Sequence, residues 1–165
     1  MEVAMLLRTK TALKECQEHL EATDASGTVI ESYLTQHILV LLSADMQQAI
    51  YMLLEKKAEQ VNQESMRLFI SSAGKTLVRG VKKGTIAGFV NHFGADAKQK
   101  FDNCLRDKEP EITMYGNALD NRDSVAHKQG AQVTFSEIQQ AVDVAELILT
   151  AVKSALEINN STQES

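Results

Sequence analysis

Residues 29–61 read VIESYLTQHILVLLSADMQQAIYMLLEKKAEQV, and the apolar positions of this stretch decide the fold class. Ile30, Leu34, Ile38, Leu41, Leu42, Met46, Ile50, Leu53 and Leu54 recur every three to four positions, the repeat of a helix's buried face. The spacing predicts either one very long helix or two helices with a joint near Ser43-Ala44-Asp45. On its N-terminal side, Asp24-Ala25-Ser26-Gly27-Thr28 is a break. Before it, Leu6, Leu7, Leu13, Cys16 and Leu20 predict an amphipathic helix over residues 2–23. On the other side, residues 64–71 could form two turns before Gly74.

The stretch from Gly74 to Gly94 holds five of the eight glycines, Gly74, Gly80, Gly84, Gly88 and Gly94, and predicts turns between short helices. A helix is expected to resume near Thr85, with Ile86, Phe89, Val90 and Phe93, and another to cover Ala95 to Leu105, with Phe101 and Leu105 inward. Arg106-Asp107-Lys108-Glu109 reads as a solvated link. Pro110 suits the first position of the next helix, where its missing N–H costs nothing. That helix carries Ile112, Tyr115, Leu119 and Val125 inward and ends near His127, with Lys128-Gln129-Gly130 as its exit. Thr134-Phe135-Ser136-Glu137 is a capping box that starts the last helix, whose buried face is Ile138, Val142, Ala145, Leu149, Val152 and Leu156. Residues 159–165 are polar, without apolar anchors, and read as a disordered tail.

Composition agrees with an all-α chain. There is one proline among 165 residues, where average usage would supply about eight. The length suits one domain, residues 1–158, able to bury a core without metals or disulfides. Cys16 and Cys104 have no ligand or framework spacing, so reduced thiols in a cytoplasmic protein are expected. The start lacks a basic n-region and a long enough apolar run for a signal peptide, and Ile38 to Leu42 is far too short an unbroken run to span a bilayer. No membrane, metal or cofactor is expected.

Several motifs dissolve on inspection. Gly74-Lys75-Thr76 resembles the end of a phosphate-binding loop, but the earlier glycine of that motif would fall at Phe69, with no strand before it. Gly80, Gly84 and Gly88 read as turns and caps rather than a packing stripe. His92 and Asp96 stand four apart with Gly94 between them and no third ligand, and His19 and His37 read as surface or satisfied core histidines.

Asn121-Arg122-Asp123-Ser124-Val125-Ala126-His127 is different. It sets an arginine, a carboxylate and a histidine within one and a half helical turns. Asp123 and His127, four apart, share a face on which the carboxylate can orient the ring. Arg122 is offset from His127 by about 140° at 100° per residue. The two meet at one site only if the helix ends there or a second chain completes it. Taken by spacing alone, the same residues also suit helix caps and surface charges.

The segment resembles the Arg-x4-6-His motif of the HEPN superfamily (higher eukaryotes and prokaryotes nucleotide-binding domains). The surrounding chain resembles the RiboL-PSP-HEPN branch: all-helical and of similar size, with a long second helix, a Val90-Asn91-His92-Phe93-Gly94 segment leading into a helix with Phe101 and Leu105, and the motif on the helix after that. The likeness covers most of residues 1–158. It implies an antiparallel helical bundle with a long second helix and additional short helices, and a metal-independent endoribonuclease, commonly a toxin or antiviral defence effector. It further implies a homodimer with a composite active site, RNA as the partner, and an antitoxin or operon partner. Arg122 and His127 become the catalytic pair, and Asp123 the polar residue after the arginine, where many members carry asparagine. Some relatives have a tyrosine two positions after the histidine that a partner enzyme modifies; here that position is Gln129. A helical dimer of the same type that binds RNA or protein without cleaving is the second reading, and a helical component of an operon-encoded complex is the third.

The chemistry suits these side chains. RNA is cleaved without a metal when its own 2′-hydroxyl attacks the adjacent phosphate, which needs proton transfer near neutrality and a cation for charge building on the phosphoryl oxygens. Histidine suits the first task and arginine the second. The net charge of −5, from 22 acidic and 17 basic residues, excludes a generally basic RNA binder. Its distribution is uneven, however. Residues 75–108 hold eight basic side chains against three acidic ones, a local +5, so the remainder sums to −10. Lys75, Arg79, Lys82, Lys83 and, beyond the motif, Lys128 are therefore the expected RNA-binding residues, although such a run is also a common solvated surface.

Overall fold

A computed structural model describes residues 5–125 and 133–158, with the backbone alone described over residues 122–125. The chain is all-α. Its helices are α1 (Leu7–Thr23), α2 (Val29–Glu59), α3 (Glu64–Leu77), α4 (Lys83–Val90), α5 (Ala95–Leu105), α6 (Glu109–Val125) and α7 (Phe135–Ala155), with single 3-10 turns at Asn91–Phe93 and Arg106–Lys108. The two longest helices, α2 and α7, pack on each other. Against them α1 and α3 lean chiefly on α2, α5 chiefly on α7, and α6 on both. The buried side chains form one continuous core, with Tyr115, Phe101, Ile38, Leu42, Met46 and Ile148 among the largest.

Of the two options for residues 29–61, one unbroken helix is correct. Its 31 residues run through Ser43-Ala44-Asp45 without a joint, because each polar side chain there is already satisfied. The Ser43 hydroxyl donates to the Leu39 carbonyl one turn back, and Asp45 reaches out to α1. Buried residues ring α2 on several sides, as befits a helix covered by four others. By length and composition α2 would be apolar enough to cross a membrane, but Ile38, Leu39, Leu42, Met46 and Ile50 are fully covered by the rest of the chain.

Helix α1 has no cap of its own. Leu6 at its N-cap lies in the left-handed region and offers no side-chain oxygen. The Asp45 carboxylate, 7% exposed, takes that place. It accepts the Thr9 N–H and the Thr9 hydroxyl, both at 2.9 Å, and the Arg8 Nε–H at 2.6 Å. A carboxylate at a helix N-terminus also faces the positive end of the helix dipole. Of the residues expected inward, Leu6, Cys16 and Leu20 are buried, whereas Leu7 and, on α2, Ile30 are exposed.

The glycines depart from expectation. Gly74 does not end α3, which continues to Leu77; a Cβ there would lie 2.4 Å from Leu54 Cδ1, so the absent side chain is what lets α3 settle on α2. Gly84 and Gly88 are helical, inside α4, next to the buried Ile86, Ala87, Phe89 and Val90. The expected breaks between helices are kept at Gly80, in the connection between α3 and α4, and at Gly94, between the 3-10 turn and α5, whose φ of +112° favours glycine. Phe89 and Phe93 meet edge to face at 5.6 Å. Helix α5 spans the expected residues, and Pro110 is the second residue of α6, still within the first turn.

The capping box of α7 is present. Thr134 Oγ1 accepts the Glu137 N–H, and the Glu137 carboxylate accepts the Thr134 N–H at 2.7 Å. Beside it, the Glu31 carboxylate accepts the Gly27 N–H and, from 104 positions away, the Phe135 N–H at 3.0 Å. The Gly27 amide first, and then that of Phe135, hold the Glu31 carboxyl below the usual glutamate range. A depressed carboxylate stabilises the fold above that range and loses its contribution as pH falls through the depressed value. Glu31→Gln should therefore melt at a lower temperature than the parent at neutral pH. The two melting curves should converge in acid, and a gap independent of pH would disprove the coupling.

Thr35 is fully buried on α2, and its hydroxyl has no hydrogen-bond partner among the described residues. An unpaired buried hydroxyl costs roughly 1–3 kcal/mol. Thr35→Val is thus expected to raise stability by about 1 kcal/mol. This would be read as a higher urea midpoint at unchanged slope; an unmoved or lowered midpoint would show that the hydroxyl is satisfied in solution.

Candidate active site

Arg122 and Asp123 lie in the last turn of α6, the helix on which the sequence places them. Their side chains, and the whole of His127 and Lys128, lie outside the described residues, as does the expected exit at Lys128-Gln129-Gly130. What the structure describes is the frame that holds this end of α6.

That frame begins with Tyr115, fully buried on α6, whose hydroxyl donates to the Val81 carbonyl at 3.0 Å. From the other side, the Gln47 side-chain amide of α2 donates to the Val78 carbonyl at 3.0 Å and to the Tyr51 hydroxyl at 2.9 Å. The connection from Val78 to Lys82 is thereby clamped between α2 and α6, with Val78 and Val81 buried. Its position brings Lys82 into an ion pair with Asp120, two residues before Arg122, and sets Lys83 against Glu109 at the start of the same helix. A stretch that looks loose in the sequence is a fixed support alongside α6.

The basic residues of this region are largely counter-charged. Of the eight between positions 75 and 108, six form ion pairs: Lys75 with Glu55, Lys82 with Asp120, Lys83 with Glu109, Lys98 with Asp102, Lys100 with Glu157 and Lys108 with Glu111. Five of those acids come from outside the segment, as many as its excess of positive charge. The local +5 of the sequence is thus offset in the fold. Arg79 instead donates to the Thr76 carbonyl and Arg106 to the Asn103 side chain. The pairs are mostly solvent-exposed, and exposed pairs are worth little, typically about 0–1 kcal/mol. A phosphate chain can compete for these lysines, but it must displace a carboxylate to do so.

The other candidates resolve simply. His19, His37 and His92 are exposed, as is Asp96, and no cluster of three metal-ligating side chains occurs among the described residues. Cys16 is buried and Cys104 exposed, both free thiols. An open groove of about 900 Å³ between the C-terminal ends of α2 and α7 is lined by Lys57, Gln60, Thr150, Lys153, Ser154 and Glu157, and so includes none of the basic residues expected to bind RNA.

Reading by spacing placed Tyr115 inward and Asp45 at a possible joint, but gave neither of them, nor Gln47, a hydrogen-bonding role. Asp45 carried a usable signal, since it falls between Leu42 and Met46 on a buried face, where a carboxylate needs a partner. The Tyr115 and Gln47 contacts, made to backbone carbonyls 34 and 31 positions away, have no signature in sequence. Comparison of the chain with family models, with curated proteins and with solved structures found no match.

Proposed function

We propose that this protein is a metal-independent endoribonuclease of the HEPN type, acting as a toxin or defence effector, with Arg122 and His127 as its catalytic pair. The observation that carries the reading is the Arg122-x4-His127 motif of the sequence, whose arginine lies in the last turn of α6, in an all-α chain with one long second helix. The resemblance supplies the activity. The fold class and the position of the arginine on α6 are consistent with it.

In the proposed reaction the 2′-hydroxyl of RNA attacks the adjacent phosphorus and the P–O5′ bond breaks. The products are a 2′,3′-cyclic phosphate and a 5′-hydroxyl. His127 takes the 2′-hydroxyl proton or delivers one to the leaving 5′-oxygen. Arg122 presents two N–H donors to the phosphoryl oxygens as their charge grows. Asp123 orients the ring or the guanidinium.

The deciding experiment incubates end-labelled RNA with the purified protein, with and without EDTA, and analyses the fragment ends. Cleavage that survives chelation and leaves cyclic-phosphate ends is expected. Cleavage abolished by chelation, or none at all, would overturn the reading. In a bacterial host, expression of the parent should arrest growth and His127→Ala should not; equal growth with both would point to the non-cleaving alternative.

A further inference from the structure

The groove between the C-terminal ends of α2 and α7, about 900 Å³ in volume, is lined by a cation from each helix. Lys57 sits in the last turn of α2 and Lys153 in the last turn of α7, both half-buried. Glu157, in the same lining, reaches across to α5 and pairs with Lys100. Lys100 first, and then Lys57 at longer range, hold the Glu157 carboxyl below the usual glutamate range. Lys57 itself forms no ion pair among the described residues. The helix ends do not need these lysines, because their carbonyls accept from the backbone. The Lys57 carbonyl takes the Gln60 N–H, and those of Lys153 and Ser154 take the N–H groups of Ile158 and Glu157. Three lysines against one glutamate leave a side-chain charge of +2. Two helix C-termini subtract roughly half a charge each, so the groove stays positive.

We infer that this groove binds a small soluble molecule through a phosphate group, with Lys57 and Lys100 as its cationic partners and Glu157 as the internal anion it displaces. The arrangement favours phosphate over a carboxylate. The lysines come from three helices, α2, α5 and α7, and the flat carboxylate that the chain itself supplies meets Lys100 but leaves Lys57 without contact. A phosphate spreads its charge over several oxygens and can meet more than one ammonium at once, and lysine serves phosphate as a point charge. The Ser154 hydroxyl and the Gln60 side-chain amide, in the same lining, add neutral donors. No aromatic side chain lines the groove among the described residues, so it lacks the stacking platform that single-stranded nucleic acid uses. Its walls are mostly polar, and charge sets the affinity, with a dissociation constant on the order of 0.1–1 mM at low salt. The groove shares no residue with the Arg122 to His127 motif, and the inference is independent of the nuclease reading.

Calorimetric titration of the full chain with inorganic pyrophosphate at low ionic strength tests it. Saturable binding is expected, with acetate at least about tenfold weaker. Lys57→Gln and Lys100→Gln should each weaken pyrophosphate binding at least about threefold, and Glu157→Gln, which removes the competing carboxylate, should tighten it at least about threefold. Lys14→Gln, at an exposed ion pair with Glu18 outside the groove, should change it by less than about twofold. Far-UV circular dichroism checks that each variant stays folded; should one groove lysine variant unfold, the other decides. No saturable binding, acetate bound as tightly, binding unmoved by both groove lysine variants or weakened equally by Lys14→Gln, or a Glu157→Gln variant no tighter than the parent would overturn the proposal. Displacement of pyrophosphate by a single-stranded oligothymidylate would also overturn it, by assigning the groove to a nucleic-acid backbone.

Discussion

Asp45→Ala is expected to lower the stability of the protein by about 3 kcal/mol, since each buried polar group left without a partner costs roughly 1–3 kcal/mol. The substitution strands two donors at once. The Thr9 N–H and hydroxyl both point at the lost carboxylate, and Thr9 is fully buried. Arg8, 63% exposed, loses less, because water can replace its partner. For a chain of this size the loss should appear as a fall in melting temperature of roughly 6–12 °C. Asp45→Asn keeps one acceptor but turns an amide donor toward a donor, so an intermediate loss is expected. Combining Thr9→Ala with Asp45→Ala should cost less than the sum of the two, the signature of a shared interaction. A melting temperature within 2 °C or so of the parent for Asp45→Ala would mean that α1 finds another cap.

The second large effect concerns cleavage, and it rests on the proposed nuclease reading. General acid–base catalysis contributes about 10²–10⁴-fold and a positioned cation on the developing charge about 10²–10³-fold. His127→Ala and Arg122→Ala should therefore each reduce the single-turnover rate at least about a hundredfold. Groups that act as one unit are not additive, so the double variant should fall little below the worse single one. Both variants should melt with the parent, which separates lost chemistry from lost fold. Retention of the parental rate by either variant would remove that residue from the pair.

Comparing the sequence reading with the structure shows which signals travel well. Periodicity over residues 29–54 and the Thr134 to Glu137 capping box are local patterns, and both elements formed as expected. The glycines were harder, because glycine marks a turn in one context and a close approach in another. Only the neighbouring helix tells them apart: Gly74 lies inside α3 at a close approach, where Leu54 occupies the space a Cβ would need. Charge patterning is incomplete in a similar way. A local +5 is visible in the sequence, but the carboxylates that offset it arrive from Glu55, Glu109, Glu111, Asp120 and Glu157, from other parts of the chain. Of the candidate site, the helix that carries Arg122 and Asp123 was legible. The clamp on Val78 to Lys82 was not, since side chains reaching distant carbonyls leave no periodic trace.

The cap that Asp45 lends to α1 also orders events in time. During synthesis the Leu7–Thr23 segment leaves the ribosome some two dozen residues before Asp45 does, with no oxygen of its own to close its first turn. Short helices in water are marginal even with good caps. The first turn of α1 therefore stays uncapped until the middle of α2 has been made. The contact of Glu31 with the amino-terminal end of α7, across 104 positions, can form only after Phe135 has been made. A nascent chain stalled between these two points would hold α1 and α2 together while the remaining core of α2 still lacked the surface of α7.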